Sequence, residues 1–313
     1  MRQEKIKYLL ILTIIYQVMS FFIAPLLIAY LFKSTNYFTI FFVQMVSFCI
    51  PIIAVLFLSY KGIGENEEEM TFDVVSLYKR KITIASVFLG IFMGLLLSVG
   101  IHYILHFVEV ITILITEDVG VVSILPETNL RVILGAIIVI CFIPSIFEEL
   151  LFRGMYYDTL EHSQVKWQFI IPTLIFASSH GSIFSFVSVS LISIVLIIFM
   201  RNKQSLIVCT AVHFVYNVGA IILSNVTTLP LSSLRLLESY ASNQVLIAAL
   251  LFYAGIIIFI SAIVLLILNS LHKKTIQANN PQIQTIFFEK NEKIILYALV
   301  LISVLMYMIR IFI

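Results

Sequence analysis

Residues 130–152 read LRVILGAIIVICFIPSIFEELLF. A helix of this length crosses the hydrocarbon core of a bilayer, which takes about 20 apolar residues. Arg131 is the only charged residue before Glu148 and Glu149, which stand near the end of the run. Backbone groups in lipid have to be satisfied within their own segment, so the run predicts a membrane-spanning helix with two carboxylates inside it.

The same apolar pattern recurs along the whole chain. Its 313 residues are 61% hydrophobic and 12% charged, whereas soluble globular proteins carry about 45–50% apolar and about 25% charged residues. We therefore predict an all-α fold, a polytopic transmembrane helix bundle of about nine spans. The spans are predicted at residues 8–32, 37–60, 82–107, 130–152, 167–181, 184–200, 204–225, 245–270 and 294–313. The fifth and sixth runs are short, so this pair is either two short spans or an irregular element packed against its neighbours.

The positions of lysine and arginine predict the orientation of the bundle. With a cytoplasmic N-terminus, 15 of the 19 Lys and Arg residues fall in inside segments, and only Lys33, Arg131, Arg235 and Arg310 fall outside. This asymmetry follows the positive-inside rule. The net charge of +2 is too small to indicate a nucleic-acid partner, so the partner that composition indicates is the lipid bilayer.

Three groups of polar residues interrupt the apolar runs of the middle third, where ionisable residues are costly and mark functional sites. They are Glu148-Glu149 with Arg153, Phe176 with His180, and His213 with Asn217. Within the first and third groups, residues four apart share one helix face. Glu149 and Arg153 can therefore pair, and His213 and Asn217 can together hold a developing oxyanion or orient a water.

Each group also has a purely structural interpretation. The carboxylates can stand at a helix end with Arg153 reaching the membrane interface, His180 can be a hydrogen-bonded core residue, and His213 with Asn217 can join neighbouring helices. Together, however, the groups bring a carboxylate, two imidazoles, an amide and a paired arginine onto neighbouring spans. That set contains a base, electrophilic donors and supporting groups, which is the composition of a hydrolytic site.

In this order the three groups resemble the CPBP family of intramembrane proteases (CAAX protease and bacteriocin-processing, also called Abi). The family pattern is Glu-Glu-x-x-x-Arg, then Phe-x-x-x-His, then His-x-x-x-Asn, and all three motifs are intact here. The sequence Phe152-Arg153-Gly154 and the position of Trp167 also fit. The resemblance covers about residues 130–220.

The resemblance implies an endopeptidase and a role for each matching residue. Glu148 would activate a water for attack on a peptide carbonyl, with His180 assisting. His213 and Asn217 would stabilise the oxyanion.

The resemblance also implies two supporting residues and a possible metal ion. Glu149 and Arg153 would hold the helix geometry. Members of the family are described both as metalloproteases and as metal-independent glutamate proteases, so the cofactor is either none or one zinc ion. If zinc is bound, its ligands would be Glu148, His180 and His213, because one carboxylate and two imidazoles suit that ion.

The composition, rich in Ile, Phe and Lys with short loops, looks bacterial, and bacteria lack protein prenylation. We therefore predict a multi-pass protein of the bacterial plasma membrane. Its predicted substrate is a membrane-associated peptide or protein, such as a bacteriocin leader or a signalling precursor. The alternative is a non-catalytic membrane scaffold or immunity protein that acts by binding. A transporter is disfavoured because the sequence shows no inverted repeat.

Three regions follow from this interpretation. Residues 1–125 are N-terminal transmembrane spans of unassigned role, residues 126–226 form the CPBP/Abi-like protease core, and residues 227–313 are C-terminal transmembrane spans.

A second polar cluster lies on the third predicted span. His102, His106 and Glu109 are spaced for one helix face and could bind a metal ion. By the rise of a helix they lie about 30 Å from Ile82, at the outer interface, where ordinary solvation also explains them.

Overall fold

The structure is a computed structural model and describes residues 2–32, 37–61, 82–116, 130–161, 163–180, 182–202, 204–226, 243–278 and 290–312. Over these residues the chain forms nine helical segments and no strand, which confirms the predicted all-α bundle. The segments are α1 (residues 2–32), α2 (Tyr37–Lys61), α3 (Ile84–Thr116), α4 (residues 130–160), α5 (Val165–Ser178), α6 (Ile183–Arg201), α7 (Leu206–Val226), α8 (Asn243–Ala278) and α9 (Lys290–Phe312).

Seven of these helices are long and apolar enough to cross a membrane, so the chain is a multi-pass membrane protein. Within the described residues, the nine predicted runs form nine helices, of which seven are candidate spans and two, α5 and α9, are not among those candidates. Helix α5 has 14 residues, and at 1.5 Å per residue it extends about 21 Å, less than the ~30 Å hydrocarbon core. The predicted cytoplasmic N-terminus stays a prediction.

Helix α5 also ends earlier than the predicted span 167–181. It stops at Ser178, and Ser182 caps the N-terminus of α6 by accepting a hydrogen bond from the Ser185 backbone N–H. His180 therefore stands in the turn between two helices and not within a helical run. This outcome corresponds to the alternative of an irregular element packed against its neighbours.

Helix α4 alternates between α and π geometry. Two π-helical segments, Ile137–Phe142 and Leu150–Tyr156, flank the α-helical segment Ile143–Glu149. Pro144 lies at the start of that middle segment, where its ring would clash with the carbonyl four residues back in a regular helix. The wider π turn accommodates the ring, and π segments of this kind are frequent at functional sites.

Small residues allow α3 and α7 to pack closely. A Cβ atom added at Gly94 would lie 2.7 Å from the backbone oxygen of Val212 and 2.8 Å from the Cβ of Val215. Gly219 of α7 makes the reciprocal approach, since a Cβ there would lie 2.3 Å from the Ser98 hydroxyl oxygen. Without a hydrophobic force between helices in lipid, such close backbone contact is a main source of association.

The centre of the bundle is built around α4 to α7. Half of the apolar window of Phe184–Arg201 is buried, whereas within Leu250–Leu271 only Ile260 and Leu268 are buried. Helix α1 packs against α2 and against α9, and α9 in turn packs against α5. The predicted boundary between residues 125 and 126 lies outside the described residues, as do residues 227–242 after the predicted core.

The close α3–α7 contact predicts that Gly94→Ala destabilises the bundle. The added methyl group would have to displace backbone, so we expect the free energy of unfolding to fall by about 1–3 kcal/mol, the usual cost of overpacking. Thermal or SDS-induced unfolding of the purified protein in detergent measures the loss.

Gly255→Ala is the matched control for this substitution. A Cβ at Gly255 meets no atom of the described residues within 4 Å, and replacing a helical glycine by alanine there should be neutral or should stabilise by up to about 1 kcal/mol. Equal stability of the two variants would contradict the proposed packing.

Candidate active site

The first and third polar groups meet across the α4–α7 contact. His213 Nδ1 lies 2.8 Å from Glu149 Oε1, and His213 Nε2 lies 3.6 Å from Glu148 Oε2. Each ring nitrogen of one imidazole therefore faces a different carboxylate. The helices bring His213 next to two predicted site residues that lie more than 60 positions earlier in the sequence.

Glu149 is the more deeply buried of the two carboxylates. Its side chain and that of Arg153 are both 0% exposed, and Arg153 Nη1 donates to Glu149 Oε1 at 3.0 Å. The same oxygen also accepts a hydrogen bond from His213. This one buried atom therefore links Glu149 both to the next turn of α4, through Arg153, and to α7. The i,i+4 pairing predicted from the sequence spacing is present in the structure.

Glu148 differs from Glu149 in the exposed fraction of its side chain. Its side chain is 11% exposed, against 0% for Glu149. Among the described residues, no guanidinium bonds to Glu148, whereas that of Arg153 bonds to Glu149. The two adjacent glutamates therefore have different environments, since Glu149 is fully buried in an ion pair and Glu148 keeps a small accessible surface.

Phe176 contacts both histidines of the site. Its ring contacts His180 at 5.3 Å and His213 at 5.8 Å between centroids, both edge to face. The Arg153 guanidinium carbon lies 5.0 Å from the centre of the same ring, which is a cation–π distance. The position of Phe176 in the motif is therefore explained by packing, because its ring touches side chains from all three polar groups.

His180 is held by the last turn of α5. Its Nδ1 lies 3.0 Å from the Phe176 carbonyl oxygen and 3.2 Å from the Ser179 hydroxyl. If Nδ1 carries the proton, it donates to the carbonyl, and Nε2 is then the nitrogen with a lone pair. The ring packs edge to face against Phe176, whose ring also contacts His213.

Asn217 lies one helical turn beyond His213 on α7 and points at α4. Its Nδ2 donates to the Ser145 hydroxyl at 3.5 Å, and that hydroxyl donates to the Cys141 carbonyl at 2.6 Å. Sequence reasoning missed Ser145. The one available signal was its spacing, because a serine three or four residues before Glu148 and Glu149 lies on the same face of the helix.

The predicted zinc ligands do not converge in a metal-binding arrangement. Over the described residues, no group of three His, Cys, Asp or Glu side chains is placed to hold a metal ion. His213 Nδ1 and His180 Nδ1 are directed at Glu149 and the Phe176 carbonyl, and His213 Nε2 faces Glu148. In this arrangement the residues do not fit zinc, and no step is derived through a metal.

The second polar cluster is a contact between two histidines. His102 Nε2 and His106 Nε2 lie 3.1 Å apart, and the His106 ring stacks with Tyr253 of α8 at 6.2 Å between centroids. The side chain of Glu109 lies outside the described residues. The cluster is on a different part of α3 from the Gly94 contact and does not join the site around Glu148.

The shared oxygen of Glu149 predicts a large effect for Arg153→Met. Removing the guanidinium leaves a fully buried carboxylate with an incomplete set of partners, and breaking a buried pair in this way typically costs about 3–5 kcal/mol. We expect a matching loss in the free energy of unfolding in detergent, or failure of the protein to accumulate in membranes.

The double variant Glu149→Leu/Arg153→Met is the control. It removes both charges, so most of the stability lost in the single variant should return. A single Arg153→Met variant as stable as the wild type would contradict the pairing.

Comparison with known proteins supports the resemblance drawn from the motifs. Residues 130–219 match the protein-family model described as Rce1-like, type II CAAX prenyl endopeptidase Rce1-like. No curated protein and no solved structure matches the chain. The matched residues contain α4 to α7 up to Gly219, and with them Glu148, Glu149, Arg153, His180, His213 and Asn217. The match covers 90 of the 313 residues and agrees with the resemblance to the CPBP/CAAX protease family that the motifs indicate for this segment.

Proposed function

We propose that the protein is an intramembrane endopeptidase in which Glu148 activates a water for hydrolysis of a peptide bond. One observation carries the proposal: the Glu148 side chain stands 3.6 Å from His213 and keeps 11% of its surface accessible, whereas its neighbour Glu149 is fully buried in an ion pair. A base has to reach both a reactant and a supporting donor, and Glu148 is the carboxylate placed to do so.

The reaction balances with Glu148 as the single proton carrier. Its carboxylate takes one proton from water while the water oxygen bonds to the peptide carbonyl carbon, which gives a tetrahedral oxyanion. When the C–N bond breaks, Glu148 returns that proton to the leaving amine. The products are a new carboxyl terminus and a new amino terminus, and Glu148 is again ionised.

His213 is the proposed donor to the oxyanion. Its Nδ1 donates to Glu149, because a carboxylate can only accept. When Nε2 also carries a proton, it can donate to an oxyanion formed beside Glu148. Asn217 lies one turn further along α7 and offers amide hydrogens on the same side of the helix, with the Ser145 hydroxyl as its partner in the resting site.

His180 would assist from the opposite wall. Its Nδ1 is held at the Phe176 carbonyl, and in the proposed mechanism its ring orients the attacking water while Glu148 takes the proton. Glu149 and Arg153 would not touch the reactants. They fix the α4 backbone and the His213 ring, so that the distance between Glu148 and His213 is set before the substrate binds.

The proposed substrate is a membrane-associated peptide or protein, because the site lies on helices that are apolar enough to cross the bilayer. The matched family description names CAAX prenyl substrates. We propose instead a bacterial plasma-membrane enzyme, on the composition of the chain, that matures a bacteriocin leader or a signalling peptide. The two substrate classes differ in the lipid group, and a direct comparison can separate them.

Glu148→Gln is expected to abolish cleavage while leaving membrane insertion intact. Loss of a general base typically costs about 100- to 10,000-fold in rate. The assay uses purified protein in lipid nanodiscs with three fluorogenic probes: a farnesylated CAAX peptide, the same peptide without the farnesyl group, and a membrane-anchored bacteriocin leader peptide. Mass spectrometry in heavy-oxygen water should find one heavy oxygen atom in the new carboxyl terminus.

Glu161→Gln serves as the matched control, because it removes a glutamate at the end of α4 without touching the site. It should cleave at the wild-type rate. A parallel reaction with a chelator decides whether cleavage needs a metal ion. If Glu148→Gln cleaved as fast as the wild type, the proposed role of Glu148 would be wrong. If the wild type cut no probe and Glu148→Gln kept the cellular phenotype, the protein would act by binding, as a scaffold or immunity protein.

A further inference from the structure

Helix α1 presents an unusual polar face to the centre of the bundle. Thr13, Tyr16 and Gln17 follow i, i+3, i+4 spacing and are 0%, 2% and 1% exposed. They lie within a candidate membrane span, Ile6–Tyr30, and far outside the family-matched residues 130–219. Burying an amide and two hydroxyls in such a span is costly unless they bond to something specific.

The Gln17 amide reaches the end of α5. Its Nε2 donates to the Ser178 hydroxyl at 3.2 Å, and that hydroxyl donates to the Ile175 carbonyl at 2.9 Å. Ser178 is the last residue of α5 and comes two residues before His180. Gln17 therefore bonds to the turn from which His180 projects.

The same turn holds the His180 ring. The Phe176 carbonyl and the Ser179 hydroxyl lie 3.0 and 3.2 Å from His180 Nδ1. A short helix end followed by a turn has few restraints of its own, because the last carbonyls of a helix lack intrahelical partners. A hydrogen bond from a neighbouring span fixes this turn relative to the rest of the bundle.

The other two residues of the face contact α4. The Thr13 hydroxyl lies 2.7 Å from the Tyr156 hydroxyl, and the Tyr16 ring meets Phe152 edge to face at 5.7 Å between centroids. Phe152 and Tyr156 belong to the π segment Leu150–Tyr156, which also carries Arg153. One face of α1 thus touches both helices that line the site.

We infer that α1 is a positioning element of the active site, and that Gln17 sets the place of His180 by its hydrogen bond to Ser178. This inference rests on the proposed function, in which His180 orients the attacking water. Apolar residues such as Leu9 and Leu12 are fully buried and already hold α1 in the bundle by packing. The polar contacts also fix the position of α1 relative to α4 and α5, because a hydrogen bond sets a distance and an angle that apolar packing leaves free.

Gln17→Met tests the inference, because methionine keeps the length of the side chain and removes the amide. We expect kcat for the cleaved probe to fall about 10- to 100-fold, the effect of misplacing a catalytic group by about 1 Å, while KM stays within about twofold. A second readout does not depend on cleavage. In protein labelled with ¹⁵N-histidine, the ring signals assigned to His180 through His180→Gln should shift, while those of His102 and His106 should not.

Gln44→Met is the matched control, since it removes a glutamine from the neighbouring span α2. The carbonyl oxygen of Gln44 is buried without a hydrogen-bond partner in the part of the chain that the structure describes. This variant should keep both kcat and the His180 signals. If Gln17→Met does not accumulate in membranes, Ser178→Ala removes the same hydrogen bond from the α5 side and should produce the same two changes.

Unchanged kcat and unchanged His180 signals in Gln17→Met, or in Ser178→Ala where that variant replaces it, would overturn the inference. The proposed function is judged separately by Glu148→Gln in the same assay. If Glu148→Gln abolishes cleavage but Gln17→Met does not alter it, only the positioning role is lost. If Glu148→Gln still cleaves, the proposed mechanism fails, and the His180 signals alone decide whether α1 positions that ring.

Discussion

The Oε1 atom of Glu149 accepts from both Arg153 and His213, and the arrangement of the site depends on this one buried oxygen. An ionised carboxylate inside an apolar bundle is tolerated only when it is paired and hydrogen-bonded. Arg153 bonds to Glu149 Oε1 from within α4, and His213 bonds to the same atom from α7. The requirement to pair a charge therefore fixes the relative position of the two helices that carry the proposed base and the proposed oxyanion donor.

The irregular helices provide the room for this pairing. Helix α4 passes from π to α to π geometry around Pro144 and the glutamates, and α5 ends after 14 residues. A regular α-helix separates neighbouring residues such as Glu148 and Glu149 by about 100°, yet both carboxylates face the His213 ring. The early end of α5 frees His180 to stand in a turn beside Phe176, where a continuous helix would have carried it past the site.

The helices outside the family-matched segment contribute to the same structure. Helix α3 packs closely against α7 through Gly94 and Ser98, and α1 bonds to Ser178 and Tyr156. Within the described residues, the family-matched segment is thus contacted by two N-terminal spans. Helix α3 packs against it through small residues, and α1 bonds to it through polar side chains.

The sequence by itself determined the class of the protein, the positions of the helices and the identity of the polar residues. Long apolar runs can satisfy their backbone in lipid only as helices, and the spacing of Glu149 and Arg153 determines their pairing. It could not determine that α5 is too short to span, because an apolar run does not show where a helix ends in a turn. Nor could it show that His213 lies between two carboxylates, that Asn217 points at Ser145 or that Gln17 reaches Ser178. These contacts join residues 64, 72 and 161 positions apart, and only the packing of the helices decides which side chains meet across such distances.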